Sequence, residues 1–108
     1  MKVRLEDQRI VFRLNDEART NLVHDKKIRT EVDFGNGALA FQLELSSAVS
    51  SLKMNFDKNE INVLMPENYI HLWDKIKVGF EEDVKLDNGK EVNLIIEKDL
   101  KRSKKRGV

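Results

Sequence analysis

Five cations have residue types and spacing suited to holding phosphate. Arg4, Arg13, Arg29, Lys53 and Lys77 fall on the polar sides of stretches that alternate apolar and polar residues. Guanidinium and ammonium groups bind phosphate oxygens through charge-assisted hydrogen bonds. Turned into a barrel, these sides would line a cationic tunnel for a polyphosphate ligand. Turned outward and interlaced with Glu and Asp, they form a solvated face that discourages edge-to-edge strand pairing. A second cationic group is Lys101, Arg102, Lys104, Lys105 and Arg106. Such a run can hold nucleic acid or another acidic partner through counterion release. No aromatic is interleaved to stack on bases, so a reader of single strands is not indicated.

Other reactive side chains are few. His24 and His71 have no histidine at helical spacing, and two separate imidazoles make a poor zinc site. Ser46, Ser47, Ser50 and Ser51 lack the G-x-S-x-G elbow of a serine nucleophile. Glu31 with Asp33, and Glu97 with Asp99, alternate as a cation site would, and equally as a solvated strand face would. Cysteine is absent, which excludes disulfides, thiolate metal sites and thiol nucleophiles. The expectation is no catalytic residue, no metal ligand and no cofactor. Tyr69, Ile70 and Trp73 share one helical side. They are core if that side is covered and a partner-binding patch if it is not.

Charge and length bound the setting. The 108 residues carry 20 Lys and Arg against 19 Asp and Glu, for a net of +1. Without the five cations of the tail, residues 1–100 hold 15 basic and 19 acidic groups, a net of −4. Attraction to nucleic acid or to an anionic membrane therefore rests on residues 101–108, which lack periodicity and read as a disordered tail. Residues 1–100 are expected to form one domain. No apolar run reaches the ~18 residues that span a bilayer, and no signal-peptide pattern opens the chain. A soluble, cytoplasmic protein of bacterial type is expected.

The elements that would position these residues follow from hydropathy period. Residues 2–6 and 9–14 alternate with period two, as half-buried strands do, across a tight Asp7-Gln8 connection. Asn15 suits a helix N-cap, followed by Asp16 and Glu17 at the positive end of the dipole. A short helix to about residue 25 is predicted. Residues 28–34 and 39–45 alternate again around Gly35-Asn36-Gly37, a strong hairpin turn signal.

The second half runs in the same order. Val3, Leu5, Ile10, Phe12 and Leu14 lie over Met54, Phe56, Ile61, Val63 and Met65 without a gap. A helix is predicted after Pro66, whose fixed φ suits a first turn. A strand is predicted from Ile76 through Phe80, then a hairpin around residues 81–90 and a last strand over Val92, Leu94 and Ile96. An internal period is a statement about fold. It predicts an α+β protein of two β-β-α-β-β repeats, with eight antiparallel strands in a barrel or folded sheet and two short helices. A ten-residue helix covers about two strands, so the strands must bury their apolar faces mainly against one another.

The opening Met1-Lys2-Val3-Arg4-Leu5, the stretch Arg9-Ile10-Val11-Phe12-Arg13-Leu14 and the closing Ile95-Ile96-Glu97-Lys98-Asp99 resemble a family of small bacterial proteins known as a domain of unknown function. That resemblance implies a fold and no activity. The duplicated layout is also similar to the CYTH, or triphosphate tunnel, superfamily, which implies a barrel acting on triphosphates with a divalent metal. The E-x-E-x-K strand of that superfamily is replaced here by Lys2-Val3-Arg4-Leu5-Glu6. The function expected is a non-enzymatic module that binds a protein or small ligand, with a homodimer compatible. The alternatives are a phosphate or triphosphate binder and a nucleic-acid accessory protein acting through its tail.

Overall fold

The computed structural model describes residues 1–100. Its elements are β1 (Lys2–Glu6), β2 (Arg9–Leu14), α1 (Asp16–Asp25), β3 (Lys27–Asp33), β4 (Ala38–Ser46), β5 (Lys53–Asp57), β6 (Glu60–Pro66), α2 (Glu67–Leu72), a 3-10 turn (Trp73–Lys75), β7 (Gly79–Lys85) and β8 (Glu91–Lys98). The class is α+β. The strands form two four-stranded sheets, ordered β1-β2-β8-β7 and β3-β4-β6-β5.

Of the barrel or folded sheet expected, this rules out the closed barrel, and it corrects the all-antiparallel pairing expected of either. The sheets do not close on each other, and each is mixed. Four tight hairpins supply the antiparallel pairs β1–β2, β3–β4, β5–β6 and β7–β8. The hairpins then join through parallel central pairs, β2 with β8 and β4 with β6. Such pairs link strands remote in sequence and leave no trace in turn signals. The Asp7-Gln8 and Lys58-Asn59 turns each supply positive φ, at Gln8, Lys58 and Asn59.

The period-two apolar faces meet between the sheets. Ile10, Phe12, Leu14, Leu94 and Ile96 of one pack with Phe41, Leu43, Leu45, Val63 and Met65 of the other in one buried cluster. Phe12 and Phe41 touch edge to face across the gap, with ring centroids 6.5 Å apart. Each such side chain stabilises the fold by roughly 1.5–3 kcal/mol relative to exposure. No polar or charged residue among those described is buried. The interior is therefore apolar, not the cationic tunnel that the CYTH resemblance implies.

Helices close one end of this sandwich. Asn15 Oδ1 accepts from the Ala18 amide at 2.8 Å and starts α1, which ends where Lys26 turns left-handed at φ 68°. Arg19 of α1 reaches Asp74 of the 3-10 turn at 3.3 Å. That turn extends α2, so Ile76 and Val78 fall outside β7, which begins at Gly79 rather than at Ile76 as expected. The Ile76 carbonyl instead accepts from Lys98 Nζ at 2.9 Å.

All four hairpin turns gather at the opposite end. Gln8 ties the β1–β2 turn to β8 through its carbonyl, which accepts from the Asn93 amide at 2.8 Å. The Asn59 carbonyl ties the β5–β6 turn to β4, accepting from the Ala40 amide at 3.0 Å. Phe56 and the stretch Leu86, Asp87 and Asn88 line one cleft, which brings the turns of the two sheets together.

Candidate functional site

The five cations singled out in the sequence do not converge. Arg4 and Arg13 stand on the outer face of the first sheet, where Arg4 Nε meets Glu6 at 3.0 Å and Arg13 Nε meets Glu97 at 2.8 Å. Arg29 and Lys53 stand on the outer face of the second sheet. Arg29 Nη1 meets Glu60 at 3.0 Å, and that hydrogen bond raises its pKa further. Lys77 is exposed in the connection before β7. The two outer faces point away from each other, because the apolar faces share the middle. One phosphate ligand cannot touch all five.

Tyr69, Ile70 and Trp73 belong to the closed end. Trp73 is 3% exposed and Ile70 is buried, both within the core. Tyr69 is half-buried and stacks on Phe80 at 4.4 Å. Its hydroxyl donates to Glu82, whose other oxygen accepts from the Leu52 amide at 2.8 Å. One carboxylate thus joins α2, β7 and the segment entering β5. Burial first, then the hydrogen bond and charge of Glu82, push the Tyr69 hydroxyl up to about 12. Lys101, Arg102, Lys104, Lys105 and Arg106 lie outside the described residues.

The remaining titratable groups are dispersed. His24 is exposed and contacts its neighbour Asp25 at 2.7 Å. His71 lies at the exposed end of α2. Among the described residues no group of three or more His, Asp or Glu is placed to hold a metal ion. No helix of the described residues is long and apolar enough to cross a membrane.

What the structure does assemble is an apolar rim at the hairpin end. Leu5, Val32, Phe34 and Phe56 belong to the inward-facing series of β1, β3 and β5 or to the turn that follows, yet they are 56%, 46%, 65% and 61% exposed. The edges of the two sheets explain how. Near the helices, Thr30 Oγ1 donates to the Met1 carbonyl at 3.2 Å, bringing β3 to β1. Glu82 does the same for β7 and the start of β5. Toward the turns the β5–β7 seam opens. Phe56 and Leu86 there border a cleft of about 360 Å³. A second cleft of about 360 Å³ lies among the turns of the second sheet alone, between Phe34, Leu39 and Asn59. Alternation marked these side chains as inward-facing. It carried no signal that they stand where the sandwich runs out of cover.

The model of a family of unknown function, DUF7009, matches residues 1–106. The chain belongs to that family. No curated protein and no solved structure matches it. Membership agrees with the resemblance read from the opening and closing strands, and it brings no activity with it. The function has to be argued from the surface of this DUF7009 chain itself.

Proposed function

We propose that the chain is a non-enzymatic protein-interaction module that docks through its hairpin end. The observation that carries this is that strand side chains of the inward-facing series stay in water at the hairpin end. Val23, Leu72, Val78 and Leu100 are exposed at the helical end too, but they lie on helices and connections, whereas Leu5, Val32 and Phe56 belong to strands whose other inward-facing members pack on the core. Exposed apolar side chains beside polar turns are a mark of a docking surface, here divided between the β3 edge and the β5 edge of the second sheet. The outer faces favour no competing chemistry, since Arg4, Arg13 and Arg29 are each engaged by a carboxylate.

Selection of displayed peptides against the full chain tests the reading. Peptides enriched on the wild type are expected to be lost on the Phe34→Ser, Phe56→Ser double variant. Equal enrichment on both would overturn it.

A duplicated origin also fits. Exchanging the first four strands with the last four turns one sheet order into the other. The registers support it: Val3 opposite Phe12 answers Met54 opposite Val63, and Phe12 beside Ile96 answers Val63 beside Leu43. On this reading the β1–β3 edge and the β5–β7 edge are copies of one ancestral edge, and a docking face made from both has approximate two-fold symmetry.

A further inference from the structure

We infer that a second copy of this chain pairs antiparallel with the exposed edge of β3, about a two-fold axis at Thr30, so that the second sheets of the two copies run on as one sheet of eight strands. This surface is the side of the second sheet, not the hairpin end, and the pairing stands without the docking face proposed above.

Backbone geometry is the first argument. Among the described strands β3 is an edge, hydrogen-bonded to β4. The Phe34 amide donates to the Gly37 carbonyl at 2.7 Å, and the Leu45 amide to the Lys26 carbonyl at 2.8 Å. The register between these two bonds is unbroken. The even-numbered residues of β3 therefore bond to β4, and Lys27, Arg29, Glu31 and Asp33 turn their N–H and C=O groups outward. All four are exposed. Such a row is a template for another strand.

The order of charges is the second. Laid antiparallel on itself with Thr30 opposite Thr30, β3 sets Lys27 opposite Asp33, Ile28 opposite Val32 and Arg29 opposite Glu31, each pair occurring twice. Opposite charges directly across a strand pair stabilise it, and like charges destabilise it. The residues with outward backbone groups are the same ones whose charges match, so a single register satisfies ladder and charge together. Val32, 46% exposed, gains Ile28 of the second copy on the apolar face. Glu44 and Glu60 share the outer side, Glu44 opposite Lys27 and Glu60 3.0 Å from Arg29 Nη1. They stand on β4 and β6, behind the edge, and leave the register unchanged. A guanidinium held at Nη1 has further donors for a second carboxylate.

The other edges match less well. β1 would set Arg4 on Arg4, and β7 would set Glu82 on Glu82 and Glu81 on Asp83. β5 matches only over Lys53–Asp57, with one kind of charged pair, and Glu82 of β7 holds its entry through the Leu52 amide at 2.8 Å. A strand whose charges complement their own reversal is what an isologous contact requires, and a foreign strand requires no such order.

Sedimentation equilibrium of the full chain from micromolar to millimolar concentration tests this. The wild type is expected to show a monomer–dimer equilibrium. Glu31→Pro removes an outward N–H and spares the bonds to β4. It should leave a folded monomer, with the near-ultraviolet circular dichroism of Trp73 unchanged. Arg29→Glu and Glu31→Arg each set like charges opposite each other at two places, and each should weaken self-association roughly tenfold or more. An equimolar mixture of these two variants sets opposite charges together again and should recover dimerisation to within about threefold of wild type, an outcome that misfolding cannot imitate. A monomer throughout the range overturns the pairing. So does a dimer indifferent to Glu31→Pro, or a mixture that stays monomeric although both variants melt as the wild type does. The Phe34→Ser, Phe56→Ser double variant should still dimerise, so failure of the peptide selection and failure of this pairing are told apart.

Discussion

The two ends of the sandwich are built from the same alternating strands and finished differently. At one end α1, α2 and the 3-10 turn lie across the strand ends and bury Leu14, Leu22, Ile70 and Trp73. At the other the chain reverses in short turns, and Leu5, Val32, Phe34 and Phe56 remain exposed. A helix of ten residues carries an apolar stripe to lay over a core. A two-residue turn such as Lys58-Asn59 has no side chain to spare, since its backbone conformation suits Asn and Gly better than Leu. Short connections thus leave inward-series strand side chains in water, whereas the apolar groups exposed at the helical end, Val23, Leu72, Val78 and Leu100, lie on helices and connections.

The comparison can be broken most directly by matched truncations. Trp73→Ala should cost about 3–5 kcal/mol, because it empties a filled site, whereas Phe34→Ala should change stability by no more than roughly 0.5 kcal/mol. Denaturant unfolding measures both, and similar losses would erase the distinction between the ends. Next in size is Gly79→Ala. A Cβ there would lie 2.2 Å from the Ile96 carbonyl oxygen and 2.5 Å from Glu97 Cα. Neighbouring backbone cannot retreat as a side chain can, so β7 would have to part from β8. A loss of roughly 1–3 kcal/mol is expected, and an unchanged thermal midpoint would show that the helical end is looser than it looks.

The junction at Tyr69 sharpens the contrast through pH. An unfolded tyrosine titrates near about 10, whereas Tyr69 is pushed up to about 12. Between these values the unfolded chain gives up a proton that the folded chain keeps. This contribution to stability is therefore intact below about pH 10 and is lost as pH rises toward 12. Tyr69→Phe should flatten that limb of the stability curve. The smallest effect expected is from Asn15→Ala, which removes the cap of α1 and should cost about 1 kcal/mol.

Much of the fold was legible in residue pattern, for local reasons. Asn15 before Asp16 and Glu17 announced α1, and Gly35-Asn36-Gly37 announced the β3–β4 turn. Alternation placed Phe12, Leu43, Val63 and Ile96 inward, where they are. The parallel joins of β2 to β8 and β4 to β6 were not legible, because each links strands from different halves and rests on backbone hydrogen bonds that any residue can make. The start of β7 was misplaced at Ile76 because Ile76, Val78 and Phe80 alternate like a strand, while the 3-10 turn takes up the chain until Gly79. The rim was hidden for a related reason. Period two tells which face a side chain joins, but not how far along the strand cover extends, so Phe56 and Met54 look alike in sequence.

Thermal unfolding of the Phe34→Ser, Phe56→Ser double variant beside the wild type tests the central claim most directly. If the hairpin end is held open for a partner, the isolated double variant melts at the wild-type temperature or slightly above it, since no core contact is lost. A fall in midpoint as large as that caused by Trp73→Ala would mean that these side chains belong to the core and that the end is closed.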